Sequence, residues 1–245
     1  MVREFRADLH IHTCLSPCGS LEMSPRTVVR EAKKRGIEII AVCDHNSAEN
    51  VLPVQRVGKL EGVTVLAGME VTSEEEVHVL ALFDHYENAS RLQEIVYEHL
   101  QPGENDEATF GPQVVVNEED EVLAMSMRLL IGATTLSINE VVDTVRRLGG
   151  LAIASHVDRE SFSLLGQLGF IPEGLALDAL EISPRMKEGE ARSKFPQLHG
   201  YPLVTFSDAH SPEEIGNGST RFLLDAATVA EIGKALRGED GRRIV

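Results

Sequence analysis

The chain has no tryptophan, and phenylalanine and tyrosine add little, so aromatics make up only 4% of its 245 residues. That leaves poor material for the base-stacking platforms that hold single-stranded nucleic acid. Its three cysteines, Cys14, Cys18 and Cys43, are too few and odd in number for a disulfide scaffold, so a reducing, cytoplasmic setting is expected. No apolar run approaches the ~18 residues that cross a bilayer, and MVREFRADLH lacks the apolar centre of a signal peptide; no membrane partner is expected. Basic residues are also scarce, 23 Lys+Arg against 39 Asp+Glu, for a formal charge of -16. Binding to a long polyanion draws mainly on Lys and Arg neutralising phosphates, so long nucleic acid is a poor partner for this composition. The clearest basic cluster (Arg26, Arg30, Lys33, Lys34, Arg35) has the spacing of one solvated helix face.

What is present reads as one α/β domain. Hydrophobic residues at 42% and charged residues at 25% are ordinary globular usage, and the length is ample for a single large core. Short β-rich runs alternate with helical stretches. Arg6 to Ile11, Ile37 to Cys43, Val63 to Ala67, Val77 to Phe83, Leu151 to Ser155, Ala179 to Ser183 and Leu203 to Ser207 are expected strands. Helix starts are expected at Ser24-Pro25, at the capping box Ser137-Ile138-Asn139-Glu140, at Ser211-Pro212-Glu213-Glu214 and at Thr228. A weaker helix over Glu49 to Lys59 is expected to be interrupted by Pro53. The alternation of roughly seven strands with helices favours a single α/β barrel over residues 1–245, with an open doubly wound sheet as the alternative, although no glycine-rich dinucleotide or P-loop fingerprint supports the latter. Residues 86–135 read as a small insertion, a helix followed by a hairpin.

Placement of the histidines carries the functional signal. His10, His12, His45, His78, His156 and His210 fall at or near expected strand ends, beside Asp8, Asp44, Glu70 and Asp208. In an α/β barrel such ends converge on the face that carries active sites. Imidazole and carboxylate are the ligands of Zn, Mn or Fe, and one bridging carboxylate holds two ions close together.

The motifs Asp8-Leu-His-Ile-His-Thr13, Cys43-Asp-His-Asn46, Gly68-Met-Glu70, Val77-His-Val-Leu80, Ala154-Ser-His156 and Ser207-Asp-Ala-His210 resemble, in order, those of the PHP (polymerase and histidinol phosphatase) superfamily. The resemblance implies a distorted (β/α)7 barrel with a centre of two or three divalent ions at its C-terminal face. It implies His10, His12, Glu70 and Asp208 around one ion, Glu70 bridging to a second held by His78 and His156, and His45 with His210 around a third. Cys18 stands where many members have another histidine, and a thiolate there can serve as a ligand. The chemistry implied is hydrolysis of a small phosphate ester, a phosphomonoester or nucleotide, by a metal-activated hydroxide. Asp208 is expected to join ligation with proton handling, and Asp44 to orient His45. Arg159 and Arg185, near strand ends, suit bidentate contact with phosphate. The competing readings are a nuclease-like phosphodiesterase and a metal-binding regulatory module without turnover.

Overall fold

The computed structural model describes residues 1–245. In chain order the elements are β1 (Arg3–Ile11), α1 (Pro25–Lys34), β2 (Ile39–Val42), α2 (Val51–Glu61), β3 (Thr64–Thr72), β4 (His78–Phe83) and α3 (Tyr86–His99). There follow α4 (Glu107–Phe110), β5 (Val114–Val116), β6 (Val122–Met125), α5 (Ile138–Arg147), β7 (Leu151–Ala154) and α6 (Leu164–Leu168). The last are β8 (Ala179–Glu181), α7 (Glu188–Lys194), β9 (Leu203–Val204), β10 (Thr220–Leu224), α8 (Val229–Arg237) and β11 (Arg243–Ile244).

Local chemistry accounts for most boundaries. Ser24 caps α1 through the Thr27 N–H, with Pro25 in the first turn, where its missing donor costs nothing. Ser137 and Glu140 close a reciprocal capping box on α5, and Thr228 caps α8. Pro53 does not interrupt α2: it stands third in the helix, still within the turn whose N–H groups have no intrahelical acceptor.

Nine strands form one mixed sheet in the order β11-β10-β1-β2-β3-β4-β7-β8-β9, and β5–β6 make a separate two-stranded ribbon. The sheet curls until the backbone beyond β9 meets β1. The His12 N–H donates to the Ala209 carbonyl at 3.0 Å, and Ile11 bridges Ala209 in parallel. Period-two alternation sends Ile39 and Ala41 into one apolar cluster with α8, and Ile40 and Val42 into the other, beneath α1, α2, α3 and α5. No helix is long and apolar enough to cross a membrane.

A regular strand–helix alternation does not hold. β4 runs antiparallel to both β3 and β7. The few polar residues between β3 and β4 are too short a link for a parallel crossover, which needs a dozen or more. The expected helix at Ser211 is only a run of turns, in which Glu214 accepts the His210 and Ser211 N–H groups and Gly216 turns to φ +75°. Strand β10, which was not among the expected strands, pairs antiparallel with the first half of β1.

Candidate metal centre

Strand β1 sets the site. His10 and His12 are two residues apart, so the pleat puts both rings on one face, and their Nε2 atoms lie 3.2 Å from each other. His45 follows β2, Glu70 lies in β3, His156 follows β7, and Asp208 with His210 follows β9. His78 is the first residue of β4, not the last. It reaches the same mouth because that strand runs the opposite way. His156 (φ 28°), Asp208 (φ 51°) and Asn46 (φ 51°) take left-handed backbone, which costs about 1–3 kcal/mol each and aims these strand-end residues.

Glu70 is the hub. Its Oε1 lies 3.3 Å from His10 Nε2, 3.1 Å from His78 Nδ1 and 3.5 Å from His156 Nε2. Its Oε2 lies 3.2 Å from His45 Nδ1 and 3.5 Å from His12 Nε2. Asp208 Oδ1 is 3.2 Å from His10 Nε2 and 3.1 Å from His12 Nε2. Three groups of ligand atoms converge tightly: His10, His12, Glu70 and Asp208; His45, Glu70 and His78; and His12, His45 and His210. The implied second set thus gathers with His45 in the position given to His156, whose ring stands 5.6 Å from that of His78. The implied third set gathers with His12 in the position given to Cys18. Cys18 is exposed on the wall of the cavity above, outside these groups.

The donors fit divalent ions. His45 Nδ1, Glu70 Oε1, His78 Nδ1 and His156 Nδ1 are all buried without a hydrogen-bond partner. The Nδ1 atoms of His45 and His78 lie 3.2 and 3.1 Å from Glu70 oxygens without making a hydrogen bond, a geometry that leaves room for a third body between them. Elsewhere the opposite ring nitrogen is anchored. His10 Nδ1 sits 2.9 Å from Glu181, His12 Nδ1 2.9 Å from Ser16 Oγ, and His210 Nδ1 2.9 Å from the Asp208 carbonyl. Each anchor fixes a tautomer and leaves Nε2 as the donor to a metal.

Electrostatics agree with that assignment at His12 and run the other way at His10, which its carboxylate neighbours hold protonated until an ion displaces the proton. Burial, then the charge of His210, lowers His12 to about 4, and burial, then His12, lowers His45 well below the ordinary imidazole value. Both are therefore neutral near pH 7, as ligation requires. Burial alone would lower His10, but Glu181, Asp208 and Glu70 hold it well above its usual value. Burial would raise Glu70 and Asp208, but the surrounding imidazoles hold both carboxylates well below their usual range.

Two acidic residues of the motifs do other work. Asp8 accepts the Ser207 and Gly216 N–H groups at 2.9 and 2.8 Å, latching the loop that carries Asp208 and His210 onto β1. Asp44 does not meet the His45 ring. It accepts the Thr13 N–H, the Thr13 hydroxyl and the Ser16 hydroxyl, each at 2.7 Å, because the tight turn after β1 offers three donors at once. Through Ser16 it supports the His12 ring and the His45 backbone N–H. Sequence reasoning misses Glu181. It ends an apolar strand run, Ala-Leu-Glu, the same placement that marks the other site residues.

A cavity of about 1120 Å³ opens over the cluster. Arg159 and Arg185 both line it, and Arg159 Nη1 lies 2.6 Å from Asp208 Oδ2. Asp158 accepts the Ser183 N–H at 2.7 Å, tying together the two loops that carry these arginines. Of residues 86–135, Ile131 reaches the cavity wall, while Asn46 donates to the Leu130 and Gly132 carbonyls and holds that segment at the mouth.

A curled α/β sheet with buried imidazoles and carboxylates gathered at one mouth defines a metal-centre class of protein. The chain belongs to the PHP domain family, whose profile matches residues 8–159, and a PHP-associated profile matches residues 193–240. An uncharacterized Bacillus subtilis protein, YqxK, is 24% identical over 275 residues, covering 100% of this chain and 65% of its own length. An endonuclease specific for DNA lesions from Pyrococcus furiosus superposes with a TM-score of 0.76 at 20% identity, over 99% of this chain and 58% of that one. A Bifidobacterium adolescentis protein named as a metal-dependent phosphoesterase superposes with a TM-score of 0.58 at 19% identity, over 94% of both chains. The chain thus spans less than two thirds of the Bacillus and Pyrococcus relatives.

Proposed function

We propose that the chain is a metal-dependent hydrolase of small phosphate esters, phosphomonoesters or mononucleotides. The observation that carries this reading is Glu70, one buried carboxylate with imidazoles against both oxygens and one oxygen lacking any hydrogen-bond partner. His10, His12, Glu70 and Asp208 would hold one ion, Glu70 with His78 and His45 or His156 a second, and His12, His45 and His210 a third. Bound ions would lower the pKa of water near neutrality and offset charge on phosphorus and the leaving oxygen. The chain's own residues then divide the work. Glu181, Ser16 and the Asp208 carbonyl hold ring tautomers, and Asp208, more exposed than Glu70 or Glu181, is the carboxylate of the cluster placed for proton handling. Arg159 and Arg185 offer guanidinium groups to phosphoryl oxygens.

A second reading, cleavage of a phosphodiester in damaged DNA, draws on the likeness to the Pyrococcus endonuclease over nearly the whole chain. The net charge of -16 and the acidic lining residues Asp158, Glu160 and Glu214 favour a compact substrate instead. The test is phosphate release with Mn or Zn from a panel of phosphomonoesters and mononucleotides, beside cleavage of an abasic duplex. Turnover on the panel that falls at least 1,000-fold in Glu70→Gln, with an unchanged circular dichroism spectrum, is expected. Duplex cleavage without monoester turnover overturns the first reading.

A further inference from the structure

Phe162 is the one aromatic residue besides histidine that lines the cavity, in a chain with few aromatics to spend. It is unusual on three counts. Its backbone sits at φ 55°, where a bulky L-residue is strained. Its ring stacks on His78 with centroids 4.8 Å apart and planes at 18°, yet the residue remains 41% exposed. Its carbonyl accepts the His78 N–H at 3.0 Å, so the turn that presents the ring is fastened to β4. The same turn carries Arg159 three residues earlier, and Ser163 closes it by donating to the Arg159 carbonyl. A guanidinium and a flat apolar face are therefore offered to one cavity from one pinned turn.

Resting on the phosphoesterase reading, we propose that Phe162 is a specificity-determining residue that seats a planar heteroaromatic group, so that the preferred substrate is a mononucleotide. One ring face is taken by His78 and the other is left for the substrate. A base at ordinary contact, roughly 3.5–4 Å from that free face, would stand one ring beyond the imidazole cluster. A sugar then spans the gap to a phosphate beside Arg159. The other apolar lining residues, Ile131, Pro184 and Met186, provide an edge for the base but no second aromatic face. The acidic lining residues disfavour a longer polyanion.

The experiment uses the full chain loaded with Mn, and compares AMP with ribose 5-phosphate, which carries the same sugar and phosphate without the base. Stacking of one base is worth about 1–3 kcal/mol, so KM for AMP is expected to be about 5- to 150-fold below that for ribose 5-phosphate. Phe162→Gly removes the ring and relieves the positive φ, so the fold is expected to survive, with an unchanged or higher Tm. In that variant the KM ratio should collapse toward one, and Phe162→Tyr should restore it. Equal KM values for the two compounds in the wild-type protein, or a ratio that Phe162→Gly leaves intact, overturn the assignment. Preferential cleavage of an oligonucleotide over AMP does so as well. If neither ester is turned over, the phosphoesterase reading fails by itself, and calorimetry with the same two compounds decides on Phe162. Tighter AMP binding that Phe162→Gly abolishes supports the seat, and equal binding refutes it.

Discussion

Two regions of the molecule invert the usual sorting of side chains by polarity, in opposite directions. At the mouth of the sheet, His10, His12, His45, Glu70, His78, His156 and Asp208 are buried. In the β5–β6 ribbon, Val122, Leu123 and Met125 are exposed on strand β6, with Phe110 and Met127 exposed beside it. The first inversion is dense and mutually compensated: carboxylates hold His10 charged, and burial keeps His12 and His45 neutral. The second is carried from below. Asn50 takes the Val114 carbonyl and the Val116 N–H, and Gln113 donates to the Ser126 and Arg128 carbonyls, so buried amides fix the ribbon whatever its outer face bears. On the proposed reading, buried polarity at the mouth is built for a ligand, whereas exposed apolarity on the ribbon is incidental to folding. Substitutions in the two regions should then differ sharply in consequence.

The largest expected difference is in pH dependence. Folded His12 is lowered to about 4 against about 6.5 in the unfolded chain. Between those values the unfolded state binds the proton and the folded state does not, so stability rises with pH through the window and is lost as pH falls from 6.5 toward 4. The loss is on the order of 3 kcal/mol for the metal-free protein. Denaturant titrations of wild type and His12→Asn across pH 4–7 measure it, since the variant cannot titrate there. Parallel pH curves for the two proteins would mean that His12 is not held neutral by the fold. A smaller effect is expected at Glu181, whose carboxylate anchors His10 Nδ1. Glu181→Gln keeps an acceptor but removes the charge, and should weaken Mn or Zn binding by about 10- to 100-fold in competition with a chelator. An affinity unchanged within error would reduce Glu181 to a packing residue.

Much of the mouth is legible in the amino-acid sequence. The caps at Ser24, Ser137 and Thr228 are local chemistry, and the gathering of histidines follows from strand ends meeting at one face. Other features depend on geometry that a sequence does not carry. Which ring nitrogen is anchored rests on contacts between distant segments, such as His10 with Glu181. Asp44 stands next to His45 in the chain, but its carboxylate turns toward Thr13 and Ser16 across the strand. The antiparallel course of β4 is legible in principle, because the link before it is too short for a crossover, and it explains why His78 opens its strand rather than closing it. Strand β10 is hidden because its partner is the first half of β1, over two hundred residues away.

The smallest expected effect lies on the ribbon. Leu123 is 64% exposed, so Leu123→Ser removes little area from contact, and the new hydroxyl can bond to water. Surface changes of this kind fall within about 0.5 kcal/mol, and the denaturation midpoint should barely move. Solubility should hold or improve, since the β6 edge of the ribbon pairs with no further strand and carries no charge between Val122 and Met127. A loss above about 1 kcal/mol would mean that the outer face of the ribbon is covered in solution, because only a side chain withdrawn from water costs that much to replace with serine. The ribbon would then belong, with the mouth, among the parts of the molecule shaped by what they bind.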